Sequence, residues 1–145
     1  MKIKQILNGK KLNTIFSVTS GTSVYDTLVL MAEKNIGAVM VVDDGKLSGI
    51  FSERDYARKI ILKGKHSDET PVSDVMTAKV ITIEPDKKIE DVMQIMSDKH
   101  IRHLPVVDGE KLIGIISISD VVTAIITDQK ERIAHLEGYI SGSYA

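Results

Sequence analysis

The chain has 145 residues, with 19 Lys+Arg against 20 Asp+Glu, 43% apolar residues, and neither cysteine nor tryptophan. Without cysteine there are no thiol nucleophiles, thiolate zinc sites or redox pairs, and a formal charge of −1 gives no chain-wide attraction to nucleic acid or anionic membrane. No apolar run approaches the roughly 18 residues of a membrane span, and Met1-Lys2-Ile3-Lys4-Gln5-Ile6-Leu7 lacks signal-peptide character, so the expected setting is soluble and cytoplasmic.

In chain order, Thr14 to Val18 reads as a short strand and Thr19-Ser20-Gly21-Thr22 as a polar corner. Val24, Leu28 and Met31, at i, i+4 and i+7, predict an amphipathic helix. Ala38 to Val42 and Lys46 to Phe51 are apolar runs joined at Asp43-Asp44-Gly45, a hairpin signal. A further helix is expected to start near Ser52. Lys63-Gly64-Lys65-His66 reads as a solvated basic loop, with nucleic-acid contact the weaker alternative. The same order then returns. Val80 to Ile83 predicts a strand and Glu84-Pro85-Asp86-Lys87 a corner, with Asp86 as helix N-cap. Ile89, Met93 and Met96 predict a helix, and His103 to Val107 and Lys111 to Ile116 a hairpin through Asp108-Gly109-Glu110. The last helix starts near Ser117.

The return is a repeat in sequence as well as in pattern. Sliding the chain by 65 residues lays Ile15 over Val80 and Leu62 over Thr127 without a gap, with 15 identities in 48 pairs, Asp26/Asp91, Gly49/Gly114, Ser52/Ser117 and Asp55/Asp120 among them. Ile3-Lys4-Gln5-Ile6-Leu7 matches Val72-Ser73-Asp74-Val75-Met76 at a shift of 69, so the first half carries four extra residues around Lys11-Leu12-Asn13-Thr14. The chain is a tandem duplication. The expected architecture is α/β (α+β): residues 1–69 and 70–128 form two βαββα units packed about a pseudo-twofold axis, and 129–145 form a C-terminal helical tail.

Both halves carry Gly-h-h-Ser-x-x-Asp (h apolar), as Gly49-Ile50-Phe51-Ser52-Glu53-Arg54-Asp55 and Gly114-Ile115-Ile116-Ser117-Ile118-Ser119-Asp120. A mid-strand Gly permits close backbone approach. The Ser opens a helix whose free N–H groups favour an anion, and the Asp can accept two hydrogen bonds from a vicinal diol such as ribose. The same Ser-x-x-Asp is equally a plain capping box, and both readings stand at this point. Arg102 and His103 add cationic or hydrogen-bonding groups at the start of the adjoining strand.

The βαββα repeat, the Gly-h-h-Ser-x-x-Asp segments and Arg102-His103-Leu104-Pro105-Val106-Val107-Asp108 resemble a tandem pair of CBS domains, the family named after cystathionine β-synthase. The resemblance covers about residues 1–128, and Ser52-Glu53-Arg54-Asp55-Tyr56 is similar to a subgroup of small stand-alone CBS pairs. It implies a regulatory module that binds an adenosyl ligand (AMP, ADP, ATP, NAD(H) or S-adenosyl-methionine) and has no catalytic residues, catalytic cofactor or metal. By that analogy Ser117 and Asp120 hold phosphate and ribose in one site, and Ser52 and Asp55 do so in its mate. The adenine lies near Ile101 or Ile36 and bonds the backbone about Thr82-Ile83 or Ser17-Val18. Arg102, His103 and Pro105 fall at family contact positions. The first half has Gly37 at the position of Arg102, and Arg54, Arg58 and Lys59 are the expected replacements for its charge. The two sites are therefore expected to be unlike.

Ile126, Ile133, Leu136 and Ile140 put a narrow apolar stripe on the tail, which either packs on its own core or meets a second copy; the resemblance implies a homodimer. Met31, Met76, Met93 and Met96 read as core or interface packing. His100 and His103 lack a third ligand nearby in sequence, and His66 and His135 read as surface histidines. The repeats carry no effector domain of their own, so the output is expected to go to a separate protein. Against the sensor stand a nucleotide-independent interaction scaffold, an enzyme acting on the nucleotide, and a nucleic-acid binder. The last has only the Lys63–His66 loop behind it.

Overall fold

The computed structural model describes residues 1–9 and 16–140, the last two by backbone alone. The first half contains helix α1 (Ile3–Gly9), strand β1 (Ser17–Val18), helix α2 (Val24–Lys34), strands β2 (Ala38–Asp43) and β3 (Lys46–Ser52), and the one-turn helix α3 (Glu53–Tyr56). A π-helical turn, Ala57–Ile61, continues α3. The second half begins with a 3₁₀ turn (Val72–Asp74) and contains helix α4 (Ile89–Lys99), strands β4 (His103–Asp108) and β5 (Lys111–Ser117), and helix α5 (Ile118–Ile140). The order is mixed α/β in both halves, as the repeat predicts, and α5 runs unbroken past residue 128 into the tail.

The periodicities explain the elements. Ser23 caps α2, its side chain accepting from Asp26 N–H; Val24 and Met31 are buried beneath that helix and Leu28 partly so. Both hairpins pair with the same register, Val41 opposite Gly49 and Val106 opposite Gly114. Each then shifts by one residue, which leaves Ser48 and Ile113 as bulges. α2 and α4 both end on a left-handed residue, Asn35 and His100, each with φ 53°.

Three expectations are corrected, and a fourth is met in part. Val80 to Ile83 is not a strand: only Ile83 bridges Val106, donating to Pro105 O at 3.0 Å and accepting from Val107 N at 2.9 Å. Pro105 replaces Met40 of the first half. It has no N–H to carry the parallel ladder back toward Ile81, whereas β1 pairs both its residues with Met40 and Val41. Asp86 does not cap α4; the N-cap is Lys88 without a side-chain bond, and Asp86 instead pairs with Lys4 at 3.3 Å. Met93 is 44% exposed, and Val92 takes the core position beside Ile89 and Met96. Of the strand expected at Thr14 to Val18 only Ser17–Val18 is seen; Thr14, Ile15 and the Lys11–Thr14 insertion lie outside the described residues.

The two cores do not divide the chain at residue 70. Ile3, Ile6 and Leu7 of α1 are buried with Ile83, Ile89, Val92, Met96, Leu104, Val106, Ile116 and Val121 of the second half. Val72 and Val75 are buried with Val24, Met31, Val39, Val41, Phe51 and Ile60 of the first. Each lead-in segment completes the other half's core, at roughly 1.5–3 kcal/mol for each fully buried aliphatic side chain. The backbone bonds are reciprocal. Ile3 N donates to Lys87 O and Ile89 N to Met1 O; Val72 N donates to Thr22 O and Val24 N to Thr70 O.

Gly49 and Gly114 stand where these segments cross β3 and β5. A Cβ on Gly49 would sit 2.6 Å from Met76 Sδ and 2.8 Å from Thr77 O; one on Gly114 would sit 2.7 Å from Leu7 Cδ2. The close approach that a mid-strand Gly predicts is therefore made by the chain's own lead-in segments.

Candidate ligand cleft between the halves

At the junction, the start of each post-hairpin helix is tied to the start of the hairpin's first strand. Glu53 N donates to Gly37 O at 3.1 Å, and Ile118 N to Arg102 O at 2.8 Å. Beside the first of these ties opens a cavity of about 660 Å³, lined by Gly37, Ile50, Ser52, Glu53, Arg54, Asp55, Arg58, Thr77, Lys99, His100, Ile101, Arg102 and His103. Both halves build it: Ser52 to Arg58 come from the end of β3, from α3 and from the π-helical turn that continues it, and Lys99 to His103 from the end of α4 and the start of β4. Thr77 comes from the lead-in segment. The His103 ring reaches to within 3.9 Å of where a side chain at position 37 would begin. A neighbouring cavity of about 320 Å³ shares Gly37 and Glu53 and is otherwise lined by Leu28, Met31, Ala32, Asn35 and Ile36.

Both Ser-x-x-Asp segments form capping boxes. Ser52 Oγ accepts from Asp55 N at 3.2 Å and Asp55 Oδ2 accepts from Ser52 N at 3.0 Å. Ser117 and Asp120 do the same at 3.1 and 2.9 Å. Asp55 does more. Its Oδ2 also accepts from Ser52 Oγ at 3.1 Å, while Oδ1 meets Thr77 Oγ1 at 3.4 Å and Lys59 Nζ at 3.1 Å. Each of its four lone-pair positions thus has a partner, and a ligand diol would displace the Ser52 and Thr77 hydroxyls. The charge in this cleft comes from side chains.

Those charges are Arg54, Arg58, Lys99 and Arg102 against Glu53 and Asp55. Arg54 Nη1 donates to His100 O at 3.1 Å. Of the expected site residues the cavity gathers Ser52, Asp55, Arg54, Arg58, Gly37, Ile101, Arg102 and His103. Arg102 and His103 thus join Ser52 and Asp55, although their strand pairs with the segment ending at Ser117. Lys59 points elsewhere, holding Asp55 and donating to Val75 O at 2.9 Å. Ile36 lines the smaller cavity, and Ser17, Val18, Thr82, Ile83, Pro105, Ser117 and Asp120 line neither. Sequence reasoning missed Ile50, Glu53, Thr77, Lys99 and His100 as lining residues. The available signal was Met76 matching Leu7 at a shift of 69 while Gly49 matches Gly114 at 65, which implies equivalent crossings.

Comparison with known proteins agrees with this architecture. The family model for the CBS domain matches residues 12–62 and 72–127. The CBS domain-containing protein CBSX3, mitochondrial, of Arabidopsis thaliana is 44% identical over 131 residues. The match covers 87% of this chain and 64% of the plant protein, so this chain spans a little under two thirds of that relative. A solved CBS-domain protein from Burkholderia ambifaria is 48% identical with a TM-score of 0.86, covering 89% of this chain and 96% of its own. The CBS domain pair of protein MJ0100, solved in complex with 5′-methylthioadenosine and S-adenosyl-L-methionine, is 28% identical with a TM-score of 0.77, covering 88% and 98%.

Proposed function

This chain belongs to the CBS-domain family as a tandem pair, and from that premise we propose that it is a non-catalytic regulatory module that binds an adenosyl ligand between its halves. The observation that carries the reading is the shared cavity, where Ser52 and Asp55 of one half face Arg102 and His103 of the other. A ligand spanning it touches both halves at once. Its differential affinity for two arrangements of those halves is then sufficient to shift their packing. A neighbour of the same fold holds two adenosyl compounds, which supports the ligand class and leaves AMP, ADP, ATP, NAD(H) and S-adenosyl-methionine open.

Among the described residues no helix is long and apolar enough to cross a membrane; the reading sets the chain in the cytoplasm, although the plant relative bears a mitochondrial name. The exposed stripe on α5 supports a homodimer, and the output passes to a separate effector protein. Titration calorimetry and thermal shift with AMP, ATP, NADH and S-adenosyl-methionine test the proposal. Heat and stabilisation with at least one are expected, and silence from all at millimolar concentration sinks it. The closed capping boxes favour a second reading, a ligand-independent interaction scaffold, and that same silence would leave it standing.

A further inference from the structure

Past the end of the repeat, α5 continues without a break to Ile140. Ile118, Val122, Ile126, Ile133 and Leu136 are exposed along one side of it. Their spacing is that of a heptad, with Ile126 and Ile133 at a and Val122, Gln129 and Leu136 at d. β-branched residues at a with Leu at d suit two parallel strands. The flanking positions hold Lys130 and Glu137 at e and Arg132 at g. These mixed signs give the face no pull toward an anionic membrane.

Charge and polarity choose the orientation. In a parallel pair each g residue lies beside the e residue of the following heptad, so Arg132 meets Glu137 of the partner subunit on both sides of the seam. Gln129 meets its own copy, and an amide both donates and accepts; a polar group in the seam of this kind sets register. The two antiparallel registers that pair Ile126 with Gln129 or with Leu136 set Arg132 against Ile125 or against its own copy, with no carboxylate opposite. Each also leaves Gln129 on an isoleucine. Within its own helix Arg132 has its Nε on Asp128 at 3.2 Å while its side chain stays 77% exposed, which steadies it and keeps it within a partner's reach.

We infer that α5 pairs in parallel and in register with α5 of a second copy, as a two-stranded coiled coil bridged by Arg132 and Glu137 between chains. The inference rests on the proposed homodimer and adds its seam, orientation and register.

The chain has no cysteine, so introduced ones report which residues meet. The first arm of the test is sedimentation equilibrium of wild type, R132E, E137R and R132E/E137R, with circular dichroism to check folding. Each single swap is expected to weaken the dimer about tenfold, and the double swap to return it to within about threefold of wild type. The second arm mixes I126C and L136C chains, allows subunits to exchange, and oxidises them. Like-with-like disulfides are expected, I126C to I126C and L136C to L136C. Mixed I126C–L136C disulfides overturn the orientation. A double swap as weak as the singles overturns the bridge, and a dimer unmoved by all three charge variants overturns the seam. In each of these cases the dimer reading stands. A wild-type chain that is monomeric at every concentration ends both.

Discussion

Arg54 Nη1 donates to the main-chain oxygen of His100 across 3.1 Å, joining α3 of the first half to the left-handed residue that ends α4 of the second. The contact places a cation at a helix C-terminus, where the last carbonyls lack intrahelical partners. R54A is expected to cost about 0.5–1 kcal/mol, the low end for a solvent-exposed bond. It is also expected to speed amide exchange around Ile101 and Arg102 without doing so in α2. Hydrogen exchange read by mass spectrometry checks this, and uniform acceleration across both halves would contradict it.

The glycine pair differs in what stands over it. At Gly49 the obstacles include the Thr77 carbonyl, which belongs to the backbone, whereas at Gly114 the near atom is the far end of Leu7. G49A is expected to cost about 1–3 kcal/mol and G114A less. Trimming the side chain above should offset G114A, so that G114A/L7A costs less than the sum of its parts. G49A/M76A should be close to additive, because the carbonyl remains. Urea denaturation of the four single and two double variants decides it.

Asp55 is a packing hub as well as a cap. D55A is expected to destabilise the ligand-free protein by about 1–2 kcal/mol, through the lost cap and the partner removed from Lys59. K59M keeps the capping box and is expected to cost less. Ligand response in D55A is therefore a weaker probe of binding than in R58A/R102A. A ligand-free D55A melting point equal to wild type would refute this account of the hub.

Asp43 accepts hydrogen bonds from the Ser20 hydroxyl, from Ser20 N at 3.0 Å and from the Ser48 hydroxyl at the β3 bulge. The Ser20 side chain, then the Ser20 main chain and Ser48, hold its carboxyl below the usual value. A carboxylate whose folded pKa is depressed contributes stability above its unfolded pKa of roughly 4 and loses it as pH falls through the folded one. The gap in melting temperature between wild type and D43N is thus expected to be level above about pH 5 and to shrink below about pH 4. A gap that widens on acidification would reverse the sign.

Ile126, Ile133 and Leu136 on α5 are 48%, 55% and 58% exposed, so the tail does not pack back on its own core. I133E/L136E is expected to leave helix content and thermal stability within about 0.5 kcal/mol of wild type in dilute solution. It is expected to convert a dimer to a monomer in light scattering. A wild-type chain that stays monomeric at high concentration would remove the dimer from the proposal.

Much of the fold could be read from residue order because its signals are local. Val24 with Met31, Ile89 with Met96, and the apolar runs about Asp43-Asp44-Gly45 and Asp108-Gly109-Glu110 set helix and hairpin periods within a dozen residues. What was missed depends on partners distant in sequence. Pro105 blocks a ladder whose other strand is more than twenty residues upstream. Lys59, one turn beyond the capping box, turns to Asp55 and Val75. Thr77 becomes a cleft residue only because its segment crosses β3. The Ser-x-x-Asp ambiguity did not resolve to one side, since Ser52 and Asp55 cap α3 and also line the cavity.

The exchange of lead-in segments also bears on the order of assembly. During synthesis from the N-terminus, the first core has every strand and helix it needs once residue 77 is free. The second must recruit residues 3–9, made about a hundred residues earlier and held in reserve until then. That closure spans nearly the whole chain, and long-range contacts of this kind are slow to form. Removing the first nine residues would therefore injure the distant end of the molecule more than the end to which they are joined.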